Sequence, residues 1–365
     1  MNINKENVLK ALSTVDDPDL KKDLVTLNMI ENIVIDGNTI NFTVVLTTPA
    51  CPLKELIKNS CIDALQKMFG TDITIDIEMT ANVTSALSDL TNALPNVKNI
   101  IAVSSGKGGV GKSTVATNLA ISLAKSGAKV GLIDADIYGP SIPTMFNLVD
   151  AKPGVEVIGD KNWVIPITKY DIELISIGFL TPSDSAVVWR GPMASSALRQ
   201  FFSDVKWGEL DYLLIDLPPG TSDIHLTMVQ SIAVTGAIIV TTPQQVAVAD
   251  AQKGISMFKQ DQIKVPILGL IENMAYFTPE ELPDNKYYIF GKDGGKKLAE
   301  KNDVEYLGQI PIVQGIREGG DQGKPAVLEN NIIAKSFDTL AEKVAQQVAI
   351  RNAHSQATKP VEIIE

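Results

Sequence analysis

The stretch Ile100-Ile101-Ala102-Val103-Ser104-Ser105-Gly106-Lys107-Gly108-Gly109-Val110-Gly111-Lys112-Ser113-Thr114 decides how this chain is read. An apolar run of strand length enters a glycine-rich turn, and a helical stretch follows to about Ser126, with Gly127 as its stop. Residues Gly106 to Thr114 fit G-x-x-x-x-G-K-[ST] in the strand, loop, helix setting that the motif requires. Glycines let backbone N–H groups turn inward on phosphate oxygens, and the start of the following helix adds positive potential. In that setting Lys112 reaches the β- and γ-phosphates and the Ser113 hydroxyl ligates Mg²⁺. Gly106, Lys107, Gly108, Gly109, Val110, Gly111, Lys112, Ser113 and Thr114 are thus the expected cradle for ATP.

The pattern continues outward from this loop. Apolar runs at Lys129 to Ile133, Tyr212 to Ile215, Ala237 to Val240 and Ile267 to Ile271 alternate with helical stretches, as in a mainly parallel sheet covered on both faces. Residues 100–350 are therefore expected to form an α/β P-loop NTPase domain with helices flanking the sheet. Asp134 and Asp136 close the run from Lys129, and Asp216 closes the run from Tyr212. Ligands of open α/β sheets bind beyond the carboxyl ends of strands, so these carboxylates should converge on Mg²⁺ and the attacking water. Asp134 also fits a turn or helix-cap role.

Residues 1–80 carry a separate pattern. Val8, Leu12 and Val15 share a helix face that Asp16, Asp17 and Pro18 terminate, and Ile33 to Ile35 and Ile40 to Leu46 flank a hairpin turn at Asp36-Gly37-Asn38. Pro52 is placed as a first helical residue, with Leu53, Leu56, Ile57, Cys61, Ala64, Leu65 and Met68 as an apolar stripe. Ile73, Ile75, Ile77 and Met79 alternate as a half-buried strand, which completes a small α-β-β-α-β domain. Residues 81–99, rich in Ser, Thr, Asn and Ala, read as a linker with some helical content. The last amphipathic helix covers about Ile332 to Ile350, and Arg351 to Glu365 reads as a disordered polar tail.

Composition sets limits on function. A chain of 365 residues suits about two domains. Its net charge of −11 argues against nucleic acid or an anionic membrane as the main partner. Ile224 to Ala249 contains no Asp, Glu, Lys or Arg, yet His225, Gln230, Gly236, Pro243, Gln244 and Gln245 interrupt it, so a helix followed by a buried strand at Ala237 to Val240 is expected rather than a membrane span. Met1 to Leu20 lacks the apolar core of a signal peptide, so the default expectation is the cytoplasm. Two cysteines, Cys51 and Cys61, exclude a disulfide scaffold and a four-cysteine zinc site within one chain.

Lys107 sharpens the reading. A GKGGVGK[ST] loop resembles the deviant Walker A ATPases, the group containing ParA, MinD, the arsenite-pump ATPase and the nitrogenase iron protein. That resemblance implies a homodimer in which Lys107 crosses to the partner's nucleotide and stabilises charge on the transferred phosphoryl group. Read alone, Lys107 is also compatible with a solvated surface lysine. Further motifs narrow the family: Asp134-Ala135-Asp136-Ile137-Tyr138-Gly139-Pro140-Ser141, Trp189-Arg190-Gly191-Pro192-Met193, Asp216-Leu217-Pro218-Pro219-Gly220-Thr221-Ser222-Asp223, Ile271-Glu272-Asn273-Met274 and Arg317-Glu318-Gly319-Gly320-Asp321. They resemble the Mrp (ApbC-type) iron–sulfur cluster carriers. Residues 1–80, with Thr48-Pro49-Ala50-Cys51-Pro52, are similar to the SufT/PaaD-like domain often fused to them.

The resemblance implies an ATP-hydrolysing homodimer that holds an Fe–S cluster and passes it to apo-proteins. It implies that Asp136 orients the attacking water, that Asp216 holds the metal through its shell, and that Asn273 contacts the adenine. Asn273 alternatively ends a strand in a turn, and Arg190 fits either a phosphate-proximal or a structural role. The chain departs from the family at one place. Most members carry C-x-x-C shortly after the E-N-M motif, whereas Tyr276-Phe277-Thr278-Pro279-Glu280-Glu281-Leu282-Pro283-Asp284-Asn285 has no sulfur. Glu280, Glu281 and Asp284 are read as a surface loop, since oxygen donors suit hard cations.

Cys61 falls on an apolar helix stripe and reads as core. Cys51 precedes Pro52 at the expected helix start, where the dipole favours thiolate, so it is the candidate cluster ligand, with a capping or packing role as the alternative. Two other functions compete. One is a nucleotide-switched scaffold without a cluster. The other is a ParA or MinD-like positioning ATPase, which would need a basic DNA-binding face or a membrane-binding helix.

Overall fold

Val8, Ala11 and Leu12 are the buried face of helix α1 (Lys5–Leu12) in the computed structural model of the chain. The structure describes residues 2–87, 93–180, 190–279, 281–282, 284–329, 331–355 and 358–360. The Asn4 side chain starts α1 by accepting the Asn7 N–H at 2.8 Å, an N-cap bond. Short strands β1 (Asp16–Asp17) and β2 (Lys22–Asp23) pair antiparallel and are followed by β3 (Ile30–Asp36) and β4 (Thr39–Leu46). Helix α2 (Lys54–Phe69) then leads to β5 (Thr74–Ala81), giving a sheet of order β3-β4-β5 in which β4 and β5 run parallel. Ile40, Phe42, Val44 and Leu46 alternate onto the buried face of β4 and meet Ile57, Cys61 and Leu65 of α2. Each such burial contributes about 1.5 to 3 kcal/mol against leaving the side chain in water. This first unit comprises Met1–Thr84 together with Ala345–Ser355, and within it Gln346 donates to Asp19 at 2.7 Å.

One expectation for this region is corrected. The helix begins at Lys54, not at Pro52: Leu53 is the N-cap, and the Ile57 N–H to Leu53 carbonyl bond is its first turn. Pro52 and Leu53 form a turn, so Cys51 lies ahead of the helix, beyond the first turn where the dipole acts. In the linker, where some helical content is expected, residues 88–92 lie outside the described residues, and the described residues of 82–99 form no helix.

The second unit comprises Ser85–Val344 and Gln356–Glu365. Its strand β6 (Ile100–Ser104) runs through the phosphate loop into α3 (Lys112–Lys125) and β7 (Val130–Asp134). The chain continues through α4 (Ile142–Met145), a hairpin of β8 (Gly154–Ile158) and β9 (Lys161–Ile165), then β10 (Ile167–Lys169) and β11 (Ile172–Ser176). Next come α5 (Gly191–Ser203), β12 (Tyr212–Asp216), α6 (Asp223–Ser231), β13 (Gly236–Thr241) and α7 (Gln245–Lys259). The last elements are β14 (Ile267–Glu272), α8 (Gly294–Asn302), β15 (Tyr306–Gln309), α9 (Gln314–Asp321) and α10 (Ile332–His354), whose residues from Ala345 onward count with the first unit. Among the described residues, no helix is long and apolar enough to cross a membrane; α6, β13 and the start of α7 occupy the uncharged stretch. Helix α10 continues to His354, so part of the expected tail is helical, while 361–365 lie outside the described residues.

An eight-stranded sheet forms in the order β10-β11-β7-β12-β6-β13-β14-β15, parallel throughout except for the β10–β11 edge pair. Every residue of β6, β7, β12 and β13 is buried, which is why these strands read as unbroken apolar runs. From β6 the chain moves to β7 and β11, fills the gap with β12, and then builds outward on the other side with β13. Chain direction therefore reverses beside β6, the place where open α/β sheets bind ligands. The register sets Asp216 opposite both Val103 and Asp134, bringing three strand ends together beneath the phosphate loop.

Candidate nucleotide site

The glycine turn between β6 and α3 forms because its backbone needs conformations that a side chain would prevent. Gly111, the N-cap of α3, has φ +81°, and a Cβ there would overlap the Asn273 amide. Gly108, Gly109, Val110, Gly111, Lys112, Ser113 and Thr114 line a concavity of about 210 Å³ together with Lys107, Asp136 and Ser141. A second cavity of about 880 Å³ shares Gly111, Thr114, Ser141 and Met145 with it, and its further walls include Met274, Phe290, Ile312 and Ile316. A small polar cradle thus opens into a larger apolar one, the division that the phosphates and the base of a nucleotide require.

Lys112 brings the acidic strand ends together. Its Nζ lies 2.7 Å from Asp216 Oδ1 and 3.5 Å from Asp136 Oδ2, and it donates to Ser113 Oγ at 3.3 Å. The Lys112 and Asp216 side chains are 6% and 0% exposed, so the pair is taken out of water and each charge depends on the other. Burial pushes the Asp136 carboxyl above the ordinary aspartate range, while Lys112 pulls it back. Asp134 is buried beside Asp216. Burial first and the Asp216 charge second push its carboxyl up, although Ser176 Oγ donates to Oδ2 at 2.9 Å and the Ile142 N–H donates at 3.3 Å. Asp134 thus joins β7, β11 and the start of α4, a positioning role consistent with the turn reading.

The fit to Mg²⁺ rests on Asp216. Its Oδ2 is buried without a hydrogen-bond partner among the described residues, while the Ser113 hydroxyl lies beside Lys112. One carboxylate oxygen and one hydroxyl suit a cation that keeps most of its ligands as water and phosphate. No group of three His, Cys, Asp or Glu among the described residues could hold a metal ion by itself.

Other candidates fall in different places. Lys107 is exposed and forms no ion pair with a described residue; Ser105 Oγ donates to its carbonyl at 3.0 Å. Asn273 is buried at the end of β14, and its Nδ2 donates to the Val110 carbonyl at 2.8 Å. That bond braces the phosphate loop from the end of β14, and Asn273 also lines the larger cavity. Arg190 is exposed and is the N-cap of α5, and Trp189 lies outside the described residues. Glu281 and Asp284 are exposed, and Glu280 lies outside the described residues. Cys51 is half-buried against the core of the first unit, and neither cysteine forms a disulfide.

His225 was not legible as a site residue. It is buried on α6, its Nδ1 lies 3.2 Å from the donating Ser222 N–H, and its Nε2 lies 3.5 Å from Ser104 Oγ at the end of β6. The Ser222-x-x-His225 spacing of a capping box was the available signal. Burial holds this imidazole neutral, with a pKa lowered to about 4 from 6.5. Because the unfolded chain takes up this proton first, stability is fully present above about pH 6.5 and is lost as pH falls toward about 4, by about 3 kcal/mol. Thermal melts across that window should slope for the wild type, and the slope should flatten in His225→Gln. Parallel melting curves would remove this account of His225.

Strand order, glycine turn and the buried lysine–carboxylate cluster define a P-loop NTPase. Residues 96–346 match the family model described as NUBPL iron-transfer P-loop NTPase, and residues 5–77 match the model described as iron-sulfur cluster assembly protein. The chain is 46% identical to an iron-sulfur cluster carrier protein of Synechocystis over 352 residues, covering 95% of this chain and 99% of that one. It is also 46% identical to a carrier protein of the same name from Deinococcus radiodurans, over 94% of this chain and 95% of that one. A solved nucleotide-binding protein from Archaeoglobus fulgidus, in complex with ADP, is 41% identical with a TM-score of 0.54, over 63% of this chain and 88% of that one. The chain belongs to the iron–sulfur cluster carrier family of P-loop NTPases, in agreement with the Mrp-type motifs.

Proposed function

We propose that this chain is a cytoplasmic Mg²⁺-dependent ATPase that acts as a homodimer, binds an iron–sulfur cluster as cargo and passes it to apo-proteins. The observation that carries the reading is the buried Lys112–Asp216–Asp136 cluster beneath the phosphate loop, in a chain whose relatives are named as carriers over nearly their whole length. Mg²⁺ would neutralise charge on the β- and γ-phosphate oxygens. Ser113 and Asp216 would hold it, with Lys112 turning from the carboxylates toward phosphate and Asp136 orienting the attacking water. Lys107, exposed at the rim, supplies the positive charge to the partner's nucleotide.

The cargo site must be built with few thiols. Cys61 is 0% exposed and burial pushes its thiol up to about 12, so it supplies no thiolate in the folded protein. Cys51 is the thiol that remains. One from each subunit would give two ligands, the rest coming from a client protein or small thiols. Anaerobic reconstitution of wild type, Cys51→Ala and Cys61→Ala, read by iron and sulfide content and visible absorption, tests this. Wild type and Cys61→Ala should hold cluster and Cys51→Ala should lose it. Equal loading of all three, or none in any, removes Cys51 as ligand. No loading in any of them favours the scaffold reading, which the sulfur-free stretch from Tyr276 to Asn285 independently suggests.

A further inference from the structure

Glu272 is left without a role by the nucleotide motifs, although it is one of the few carboxylates buried in the sheet. It ends β14 at 1% exposure, and its Oε2 accepts the Gly295 N–H. The carboxylate thereby caps the first turn of α8, where the preceding Asp293 makes no side-chain cap and where negative charge meets the positive end of the helix. The start of α8 packs against the carboxyl ends of β13 and β14. A Cβ on Gly294 would overlap the Pro243 carbonyl, and a Cβ on Gly295 would come within 2.9 Å of Leu270 Cδ2.

What this seat holds lies just ahead of it in sequence. The Gly291 N–H donates to the Tyr288 carbonyl at 3.1 Å, forming a turn that carries Ile289 and Phe290. The other end of the segment is tied by the Phe277–Tyr287 bridge, with both N–H to carbonyl bonds at 2.8 Å. Ile289 and Phe290 are 61% and 36% exposed, yet both face the cavity of about 880 Å³ that opens from the phosphate loop. Exposed apolar side chains lining a cavity beside a phosphate cradle suit the face of a purine.

We propose that Glu272 is a positioning residue for the base-binding wall: by fastening the start of α8, its carboxylate sets Ile289 and Phe290 against the base of a bound nucleotide without touching the phosphates. The inference rests on the reading of these two cavities as a nucleotide site. Its test compares ATP with inorganic tripolyphosphate, which occupies only the phosphate cradle, as ligands of the full-length protein in calorimetry. Glu272→Ala should weaken ATP about tenfold while tripolyphosphate stays within about twofold, and Glu272→Gln, which keeps an acceptor oxygen, should weaken ATP only about threefold. Phe290→Ala should show the same ligand split, and adding Glu272→Ala to it should cost little more, since both act on one contact. Equal weakening of both ligands, no loss of ATP affinity, or additive effects in the double variant overturns the proposal while leaving the nucleotide reading intact. Should Glu272→Ala fail to fold, the ligand split in Glu272→Gln decides the matter. A wild type that binds neither ligand overturns both readings.

Discussion

Lys107→Ala should lose ATP turnover by about a thousandfold or more, the scale set by cationic fingers in phosphoryl transfer, while keeping ATP affinity within about threefold. The expectation follows from position. Lys107 is exposed at the mouth of the loop and forms no ion pair with a described residue, whereas Lys112 is buried among carboxylates. A lysine that acts across a dimer makes a second demand. Mixing Lys107→Ala with Lys112→Ala should restore roughly a quarter of wild-type turnover, because half of randomly paired two-fold dimers are mixed and each mixed dimer has one complete site. Full turnover in Lys107→Ala, or no rescue on mixing, removes the role in trans.

Lys112→Ala should be costly in two separate ways. Nucleotide binding and hydrolysis should both be lost, since the loop's buried cation is gone. Folding should also suffer: deleting one partner of a buried ion pair leaves Asp216 uncompensated, at about 3 to 5 kcal/mol. The pair at 2.7 Å makes this an assignable effect. Lys112→Ala combined with Asp216→Asn should recover most of the stability in denaturant titrations and none of the hydrolysis. If Lys112→Ala melts like the wild type, the Lys112–Asp216 pair does not hold this site together.

The parts of the fold that could be read from sequence are those whose causes are local. The phosphate loop is a contiguous spacing of glycines and a lysine, and β6, β7, β12 and β13 are buried on both faces, so each appears as an apolar run. The strands β8 to β11 are not legible in the sequence. β8 is exposed along its whole length, with Val155 and Val157 facing water around Glu156, and β11 is broken by Glu173, whose carboxylate accepts the Gly208 N–H at 3.0 Å. Such strands draw their order from tertiary pairing rather than from composition. β15 is only four residues long and contains Gly308.

At the site, the acidic residues were legible because strand ends point at ligands. The partner that Lys112 takes was not, because Asp216 lies 104 residues away. His225 and Glu272 are polar residues whose importance comes from burial, and burial is set by the close approach of α6 and α8 to the sheet. Cys51 misled in a different way. Proline often opens a helix, but here the turn at Pro52 and Leu53 delays α2 to Lys54 and removes the dipole argument for the thiol.

If the ATPase site serves the cargo, Mg-ATP should speed the handover of a bound iron–sulfur cluster. The most direct measurement follows, by circular dichroism in the visible range, the transfer of cluster from the anaerobically loaded protein to an apo-[4Fe–4S] acceptor, with Mg-ATP and without it. The wild type should transfer faster with Mg-ATP, and Lys112→Ala should not respond. A loaded wild type whose transfer rate ignores Mg-ATP, or a reconstituted protein that holds no iron, would contradict the account.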